Sequence, residues 1–444
     1  MNRRKIRIAS QLFSIYLIST TTVFGQTMPI NTSSGDSLVL DSVIQTVIQN
    51  HPTVKAAAEA LNKADAQIGL AKSGYYPNVD ITSNYSHVGP VPSLEIPNLG
   101  TFSLFPSDNF SGELNVRQNI YDFGKTAKNV ALANEGKVIA EQSLDQVKQK
   151  MALAVVRNYY ILGFLQEAIK IKEEQLKTLQ EHLEYVQKMK ITGSATNYEI
   201  LSTKVKISGV ESQELDLKAS RDVQLSVLNS LLGQPANTYH TVKAELNILQ
   251  PEIAKDSLIS HAFQNRNEML LAKEKADLAL LHLGVVKTQN NPSLNFIANG
   301  GWKNGYVPDI NKIKPNYVVG LGLTIPIFDA TKTKYNLMEA KSSVETSNLE
   351  TEVTRRNISS EVVENETSVQ TSQKKVNQSK LQLEQAQEAL SLAQTNYKAG
   401  AITNLDLLDA TTTVSETRLM LLKSEIDYAV SIYKLKASLG ERLY

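Results

Sequence analysis

Residues 383–413 read LEQAQEALSLAQTNYKAGAITNLDLLDATTT, and this stretch decides the fold. Apolar residues recur at steps of three and four as far as residue 397, which is the spacing of a coiled-coil seam. Gly400 interrupts the pattern, and a second helical pattern begins at about residue 403. A break this short predicts that the two helices run antiparallel as a hairpin. The seam consists of Leu383, Ala386, Leu390, Ala393 and Tyr397.

The chain contains two copies of this arrangement. From Asp122 to Gly440, identical residues recur at a fixed spacing of 207, which is hard to reach by chance. In each copy, a helical stretch, two alternating segments, a very long helix and a final helix follow one another. The matching pairs are Asp122/Asp329, Lys125/Lys332, Thr126/Thr333, Asn129/Asn336, Thr196/Thr403, Asn197/Asn404, Leu201/Leu408 and Gly233/Gly440.

The longest helical pattern in each copy covers about 67 residues, which makes a rod of roughly 100 Å at 1.5 Å per residue. A globular core does not need such a rod. The final helix of each copy covers half of it, and the short helix before the strands can cover the other half. The predicted helices are 53–73, 125–191 and 196–232 in the first copy, and 268–290, 332–398 and 403–439 in the second.

Four segments alternate apolar and small or polar residues, as half-buried strands do: 78–88, 110–121, 293–303 and 316–328. Two interpretations are open here. One is a soluble sheet packed on a helix, and the other is a transmembrane barrel with a polar lumen. Four strands cannot close a barrel, so copies would have to associate. Two chains would give eight strands and a nearly filled interior, and three would give twelve strands and a lumen, which the polar faces favour.

Composition excludes several classes of function. Lys and Arg number 46 against 45 Asp and Glu, so the net charge of +1 gives no argument for a nucleic-acid partner. The chain has no cysteine, which excludes disulfides and thiol chemistry. Its six histidines are scattered, with no pair at metal-ligand spacing, and it has no phosphate-binding loop or nucleophile motif. We therefore expect no catalytic site, no cofactor and no metal.

The first residues are typical of a secretory signal. Basic residues between Arg3 and Arg7 precede an apolar stretch at 8–24, and an uncleaved membrane anchor is the alternative. The predicted organisation is a leader at 1–25, a first repeat at 26–233, a linking segment at 234–257 and a second repeat at 258–444.

Residues 397–414, YKAGAITNLDLLDATTTV, resemble the tip segment of the TolC family, the outer-membrane component of efflux pumps and type I secretion systems. Three further elements resemble the wider family, and the resemblance covers essentially the whole mature chain. They are Asn50-His51-Pro52, Gly74-Tyr75-Tyr76-Pro77 and Tyr121-Asp122-Phe123-Gly124.

The resemblance implies a mainly α fold with membrane β. A homotrimer would form a 12-strand outer-membrane β-barrel, with four strands per chain, continuous with a long periplasmic α-helical coiled-coil barrel. The trimer would serve as an exit duct that opens at its periplasmic tip. Its partners would be outer-membrane lipid, a periplasmic adaptor (membrane fusion) protein and an inner-membrane transporter, with no nucleic acid. The alternative function is a soluble periplasmic coiled-coil adaptor or structural protein.

The same resemblance assigns roles at the tip. Asp406 and Asp409 match acidic residues that narrow the closed entrance, and six such carboxylates around one axis would raise some of their pKa values. Tyr397 matches a latch tyrosine, and Glu199 stands where the family has its acidic partner, while Gly193 and Gly400 make the tip turns. The competing interpretations are helix capping for Asp406, with Thr403 or Asn404 as the cap, and a seam position for Tyr397.

One departure from the family predicts a measurable difference. The family has an arginine two residues after the tip glycine, tied to the acidic partner, and this chain has Ile402. We therefore expect closure to rely more on apolar packing than on ion pairs, so single-channel opening should depend only weakly on salt. Strong opening at high salt that is lost in Glu199→Gln would contradict this prediction.

Overall fold

The computed structural model describes residues 37–97, 100–246 and 257–444, which belong to one unit. The predicted leader at 1–25 and residues 247–256 of the linking segment lie outside the described residues. In chain order the elements are α1 (Leu40–Asn50), α2 (Pro52–Ser73), β1 (Asn78–His87), β2 (Ser93–Ile96), β3 (Gly100–Ser103), β4 (Asp108–Tyr121), α3 (Lys125–Ile191), α4 (Asn197–Leu232), α5 (Leu258–Asn265), α6 (Asn267–Lys287), β5 (Ser293–Lys303), β6 (Lys314–Thr324), α7 (Lys332–Lys398) and α8 (Asn404–Ser438).

The two longest helices have the bounds that the sequence predicts. α3 and α7 contain 67 residues each, which corresponds to about 100 Å. The turns that follow them contain Gly193 and Gly400, whose φ angles are 79° and 73°. A Cβ atom disfavours this left-handed conformation, so glycine permits the sharp reversal into α4 and α8. Both predicted hairpins are confirmed.

The four-stranded sheet continues into a layer that is four helices wide. The strands run antiparallel in the order β1-β4-β5-β6. α2 leads into β1, β4 into α3, α6 into β5 and β6 into α7, so all the helical connections lie at one end of the sheet. Near the sheet, α2 packs on α3, α3 on α6, and α6 on α7; farther away, α4 and α8 take the places of α2 and α6. Within the described residues, the outer edges of β1 and β6 have no strand partner.

The exposure of the two sheet faces is the reverse of that in a soluble protein, because apolar side chains are exposed and a polar one is buried. On the apolar face, Ile81 pairs with Leu114, and Leu321 pairs with Phe296. Ile81 is 79% exposed and Leu321 is 69% exposed. On the polar face, Asn115 is only 6% exposed. The sheet therefore curves so that its polar face is concave and its apolar face is convex. The concave face carries a network in which Asn115 Nδ2 donates to Asp80 and Thr82, Asn299 Nδ2 to Asn115 Oδ1, and Asn316 Nδ2 to Glu113.

The largest apolar core lies at the middle of α3, where α1, α4 and α8 meet it. Val155, Tyr159 and Leu228 are essentially inaccessible to solvent there. The Tyr159 hydroxyl lies 2.7 and 2.9 Å from the carbonyl oxygens of Leu38 and Lys243, which attaches the described part of the linking segment to the helices. A second cluster joins α5, α7 and α8 in the other repeat. Among the described helices, none is both long enough and apolar enough to cross a membrane.

The structure corrects the sequence analysis in three places. β6 ends at Thr324 rather than 328, because Pro326 lacks the N–H that a ladder needs. The Pro-rich stretch between β1 and β4 contains the unpredicted hairpin β2–β3. Short helices α1 and α5 precede α2 and α6, and each ends just before the start of the next helix. Their apolar faces form part of the two cores, which explains why such short helices are stable.

Candidate functional site

The ends of the two hairpins form the candidate site, and their first turns are built alike. α4 begins at a cap in which Thr196 Oγ1 accepts from the backbone N–H of Glu199 at 3.3 Å. α8 begins at the equivalent cap, where Thr403 Oγ1 accepts from the N–H of Asp406 at 3.3 Å. Of the two cap residues considered from sequence, Thr403 is the cap, and Asn404 is the first residue of α8.

Asp406 closes this cap from the other side. Its carboxylate oxygen Oδ2 accepts from the backbone N–H of Thr403 at 2.9 Å and from the Thr403 hydroxyl at 2.7 Å. This reciprocal arrangement is a capping box. The bonds from Thr403 lower the pKa of Asp406 within one chain, so the carboxylate stays ionised at neutral pH. Raised pKa values were predicted for a ring of several copies.

Tyr397 lies where the two hairpins meet. Its side chain is 8% exposed, and its hydroxyl donates to Glu199 Oε2 at 3.2 Å. Burial and the Glu199 carboxylate raise the pKa of Tyr397 to about 12. The phenol therefore stays protonated and can donate throughout the physiological range. The predicted latch pair is thus in contact, and this contact joins α7 to α4.

The side chain of Asn404 makes hydrogen bonds to two other helices, a role that the sequence analysis did not predict. It is 5% exposed, and its amide Nδ2 lies 3.3 Å from the Glu199 carbonyl oxygen, 3.2 Å from Ser202 Oγ and 3.3 Å from Thr203 Oγ1. On the other side, its Oδ1 is 2.6 Å from Nε2 of His182. Asn404 therefore ties α8 to both α3 and α4, and nothing in the spacing of residues so distant in sequence could have shown it.

Three rings enclose a cleft beside this hub. The ring centroids of His182 and Tyr397 are 5.4 Å apart in an edge-to-face arrangement, and Tyr185 lies 6.4 and 6.5 Å from them. The cleft has a volume of about 340 Å³ and extends between α3, α7 and α8. Beneath it, apolar side chains of α3, α4 and α8 pack together: Leu176, Leu179, Ile207, Val210 and Leu408.

Two ion pairs also cross from one hairpin to the other. Lys206 Nζ lies 3.7 Å from Asp409 Oδ1, and Arg418 lies 2.5 Å from Glu174. The side chains of Asp409 and Glu174 are 66% and 60% exposed, so each pair contributes about 0–1 kcal/mol and is screened by salt. The other described contacts between the hairpins are apolar packing, the hydrogen bonds of Asn404 and the bond from the Tyr397 hydroxyl to the Glu199 carboxylate. The predicted weak salt dependence is consistent with this balance and stays a prediction.

Comparison with known proteins points in one direction. A family model described as outer membrane efflux protein matches residues 43–234 and 258–441. Nodulation protein T of Rhizobium leguminosarum bv. trifolii is 22% identical over 90% of this chain and 85% of its own. The toluene efflux pump outer membrane protein TtgC of Pseudomonas putida is 23% identical over 91% of this chain and 83% of its own. The alkaline protease secretion protein AprF of Pseudomonas aeruginosa is 22% identical over 75% of this chain and 70% of its own.

Solved structures share the fold. The outer membrane protein VceC of Vibrio cholerae superposes with a TM-score of 0.75 at 20% identity, covering 91% of this chain and 97% of its own. The MtrE outer membrane channel of Neisseria gonorrhoeae, in its open state, gives a TM-score of 0.77 at 18% identity, over 91% and 89% of the two chains.

Proposed function

Because this chain belongs to the outer membrane efflux protein family, we propose that three copies of it form a duct that carries exported molecules through the outer membrane. The protein is an outer-membrane channel subunit that extends into the periplasm, and it is not an enzyme. The alternative of a soluble periplasmic adaptor is set aside by this membership.

The reversed sheet is the single observation that carries the proposal. A convex apolar face that includes Ile81 and Leu321 is unfavourable in water but suits lipid. The concave face, with the Asn115 network, suits a water-filled lumen. In the described chain, β1 and β6 are edge strands with unpaired backbone groups. Pairing β6 of one copy with β1 of the next gives the backbone groups of both edges their hydrogen-bond partners. Three copies give twelve strands and leave a lumen, whereas two copies would nearly fill it.

The layer of helices, like the sheet, has two uncovered edges. Away from the tip, where Tyr397 meets Glu199, α4 and α7 are its outer helices, and each carries exposed apolar residues along its length. A second copy can cover both edges if α4 of one chain lies against α7 of the next, as in a closed ring. On α4 these residues are Tyr198, Leu201, Val205, Leu215 and Val223, and on α7 they are Leu349, Val353, Leu381 and Leu392.

The gate is proposed at the hairpin tips. Asp406 and Asp409 of three chains would place six carboxylates around one axis and favour cations. The hydrogen bond from Tyr397 to Glu199 would hold the closed arrangement, with Gly193 and Gly400 as the tip turns. Capping by Asp406 and gating by Asp406 are compatible, because the capped residue is exposed to solvent. No catalytic step is involved, and the energy for transport would come from a partner.

The proposed partners are a periplasmic adaptor protein and an inner-membrane transporter. Relatives named for toluene efflux and for alkaline protease secretion are compatible with either an efflux pump or a secretion system as the assembly served. The proposed organisation remains a leader at 1–25, repeats at 26–233 and 258–444, and a linking segment at 234–257. The family model matches two segments, 43–234 and 258–441, whose bounds agree with the two proposed repeats to within one residue at the linking segment, which supports this division.

Purified protein tests the proposal directly. We expect heat-modifiable trimers from the outer-membrane fraction that conduct ions in planar lipid bilayers. In the double variant Asp406→Asn, Asp409→Asn, the ratio of cation to anion permeability should fall by about threefold or more, because the carboxylate ring is gone. Asp216→Asn, Asp222→Asn removes the same charge from the shaft of α4 and should leave the ratio unchanged.

Different outcomes would refute different parts of the proposal. A soluble monomer without conductance contradicts the channel. A conducting trimer whose selectivity is the same in both double variants contradicts the gate assigned to Asp406 and Asp409. Solute turnover by the purified protein alone would contradict the absence of an enzymatic function.

A further inference from the structure

A groove of about 650 Å³ runs between α3, α7 and α8, well away from the hairpin tips. Five charged side chains line it. Within the part of the chain that the structure describes, none of the five takes part in an ion pair or a hydrogen bond. Other charges on the same helices are paired, such as Lys380 of α7 with Glu425 of α8. The five are Arg157 of α3, Glu364 and Lys375 of α7, and Asp427 and Lys434 of α8.

Arg157 and Lys434 line the groove at the same level. The ring centroids of Tyr160 of α3 and Tyr433 of α8 are 5.9 Å apart, which fixes the register of these two antiparallel helices. Three residues before Tyr160 therefore corresponds to three residues after Tyr433. At 1.5 Å per residue, Arg157 and Lys434 are within about 3 Å of one level along the helices. The groove thus brings a guanidinium and an ammonium group together.

Two hydroxyl groups of α7 lie at this level as well. Ser372 of α7 and Ser431 of α8 have their Oγ atoms 3.0 Å apart, which fixes the register of the second antiparallel pair. In this register, Ser368 and Thr371 lie beside Lys434, and both line the groove. The middle of the groove therefore combines two cations with two groups that can donate hydrogen bonds.

The two carboxylates of the groove lie at other levels. In the same register, Glu364 lies about 8 Å from Lys434 along the helices, in the direction of the sheet. Asp427 lies about 10 Å from Lys434 in the direction of the tip, and at its own level it has Lys375 opposite it. Neither carboxylate therefore neutralises the pair of cations in the middle.

The groove opens on the face of the helical layer opposite α5 and the linking segment. Successive residues of an α-helix are about 100° apart, so residues two positions apart point in nearly opposite directions. Arg157 is two positions from Tyr159, which bonds to the linking segment, and Thr371 is two positions from Val369, which packs in the cluster with α5. In the proposed ring this face lines the lumen, because α5 and the linking segment would obstruct the duct from inside.

We propose that the groove binds the anionic group, a carboxylate, phosphate or sulfonate, of a molecule that passes through the duct. Arg157 and Lys434 supply the charge, and Ser368 and Thr371 supply hydrogen bonds. This inference rests on the proposed function and adds a binding site to it. Charge-assisted hydrogen bonds to an oxyanion are roughly twice as strong as neutral ones. The side chains stay open to water, so binding is weak enough to let a permeating molecule leave.

The groove is separate from the proposed gate. Lys434 and Asp406 are both residues of α8, and 28 residues between them correspond to about 40 Å. This distance exceeds the Debye length at physiological salt several times, so the tip carboxylates have little influence on an anion in the groove. Three copies would place three such sites at one height around the lumen.

Block of the channel by a small sulfonate tests the site. The probes are naphthalenesulfonate and its neutral counterpart naphthalenesulfonamide, added from the barrel side to channels in planar bilayers at fixed pH and salt. We expect the sulfonate to halve the conductance at a concentration about tenfold below that needed for the sulfonamide. In Arg157→Gln, Lys434→Gln, channels should still form, because both side chains are exposed and unpaired in the described chain, and this preference should disappear. Glu364→Gln removes an opposing charge and should strengthen the preference about twofold.

The matched control removes one arginine and one lysine from the opposite face. Arg355 lies over the ring of Phe263 of α5, and Lys243 belongs to the linking segment. Arg355→Gln, Lys243→Gln should keep the preference for the sulfonate.

The outcomes separate the site from the channel. Equal block by the two probes in the unmodified channel overturns the inference and leaves the channel intact. So does a preference that survives in Arg157→Gln, Lys434→Gln, or one that is lost equally in the control. A protein that conducts under no condition refutes the proposed function, and the inference with it.

Discussion

A disulfide between residues 203 and 404 should abolish export until it is reduced. Thr203 of α4 and Asn404 of α8 are buried, and their side chains are in contact, with 3.3 Å between Oγ1 and Nδ2. The natural chain has no cysteine, so Thr203→Cys, Asn404→Cys introduces one pair and no competitor. A formed bond holds the two Cα atoms within about 7 Å and prevents the hairpins from separating. Efflux or single-channel opening should fall by about tenfold or more under oxidising conditions and recover with a reductant.

A second cysteine pair separates gating from cross-linking as such. Ser372 of α7 and Ser431 of α8 are buried and have their Oγ atoms 3.0 Å apart. Their disulfide, in Ser372→Cys, Ser431→Cys, joins two helices of the same hairpin and leaves the hairpins free to move apart. Export by this variant should not respond to oxidation. Two results would show that movement between the hairpins is not the gating motion. One is that both disulfides block export equally, and the other is that a reductant does not restore export in Thr203→Cys, Asn404→Cys.

The sequence predicts the helical part of this fold well, because the relevant signals are local. A seam that runs from Leu383 to Tyr397, followed by Gly400, specifies a helix, its apolar face and its end. The repeat spacing then transfers the same interpretation to the first copy. α3 and α7 accordingly begin and end at the predicted residues. The exact first residues of α4 and α8 follow from the Thr196 and Thr403 caps.

The site is predicted less completely, because its contacts depend on which helix faces are brought together. The contact of Tyr397 with Glu199 was expected from family resemblance. The bond of His182 to Asn404 joins residues 222 positions apart, and neither residue has a neighbour in sequence that reveals the other. A polar residue at the first position of α8 is usually exposed, and only the packing of α3 and α4 against this turn buries it.

The arrangement of the strands is also only partly predictable from the sequence. Alternation predicts which residues share a face, but period two is the same for a soluble sheet and for a barrel wall. What separates them is curvature. Asn115 is buried on one face while Tyr317 is 83% exposed on the other, so the polar side is the inside. Curvature arises from the pairing of strands distant in sequence, such as β4 with β5, and no single segment encodes it.

One pair of adjacent substitutions should show which face meets lipid. Val319 is the middle residue of β6, lies on the apolar face and is 64% exposed. Val319→Arg would place a guanidinium near the centre of the bilayer, at a cost of about 2–4 kcal/mol per chain. That cost corresponds to a roughly 30- to 1000-fold loss in the equilibrium for inserted protein. Three chains carry the substitution, so we expect almost no heat-modifiable trimer in the outer-membrane fraction.

Gly320→Arg is the control, since it adds the same charge one residue further along on the opposite face. A Cβ atom at Gly320 meets nothing within 4 Å, so the new side chain has room to extend into the proposed lumen. Trimer yield should stay near that of the unmodified protein, and the added positive charges should reduce conductance for cations. Equal loss of trimer in both variants would mean that strand pairing, rather than the side facing lipid, is sensitive at this point. Normal assembly of Val319→Arg together with failure of Gly320→Arg would reverse the assignment of the two faces.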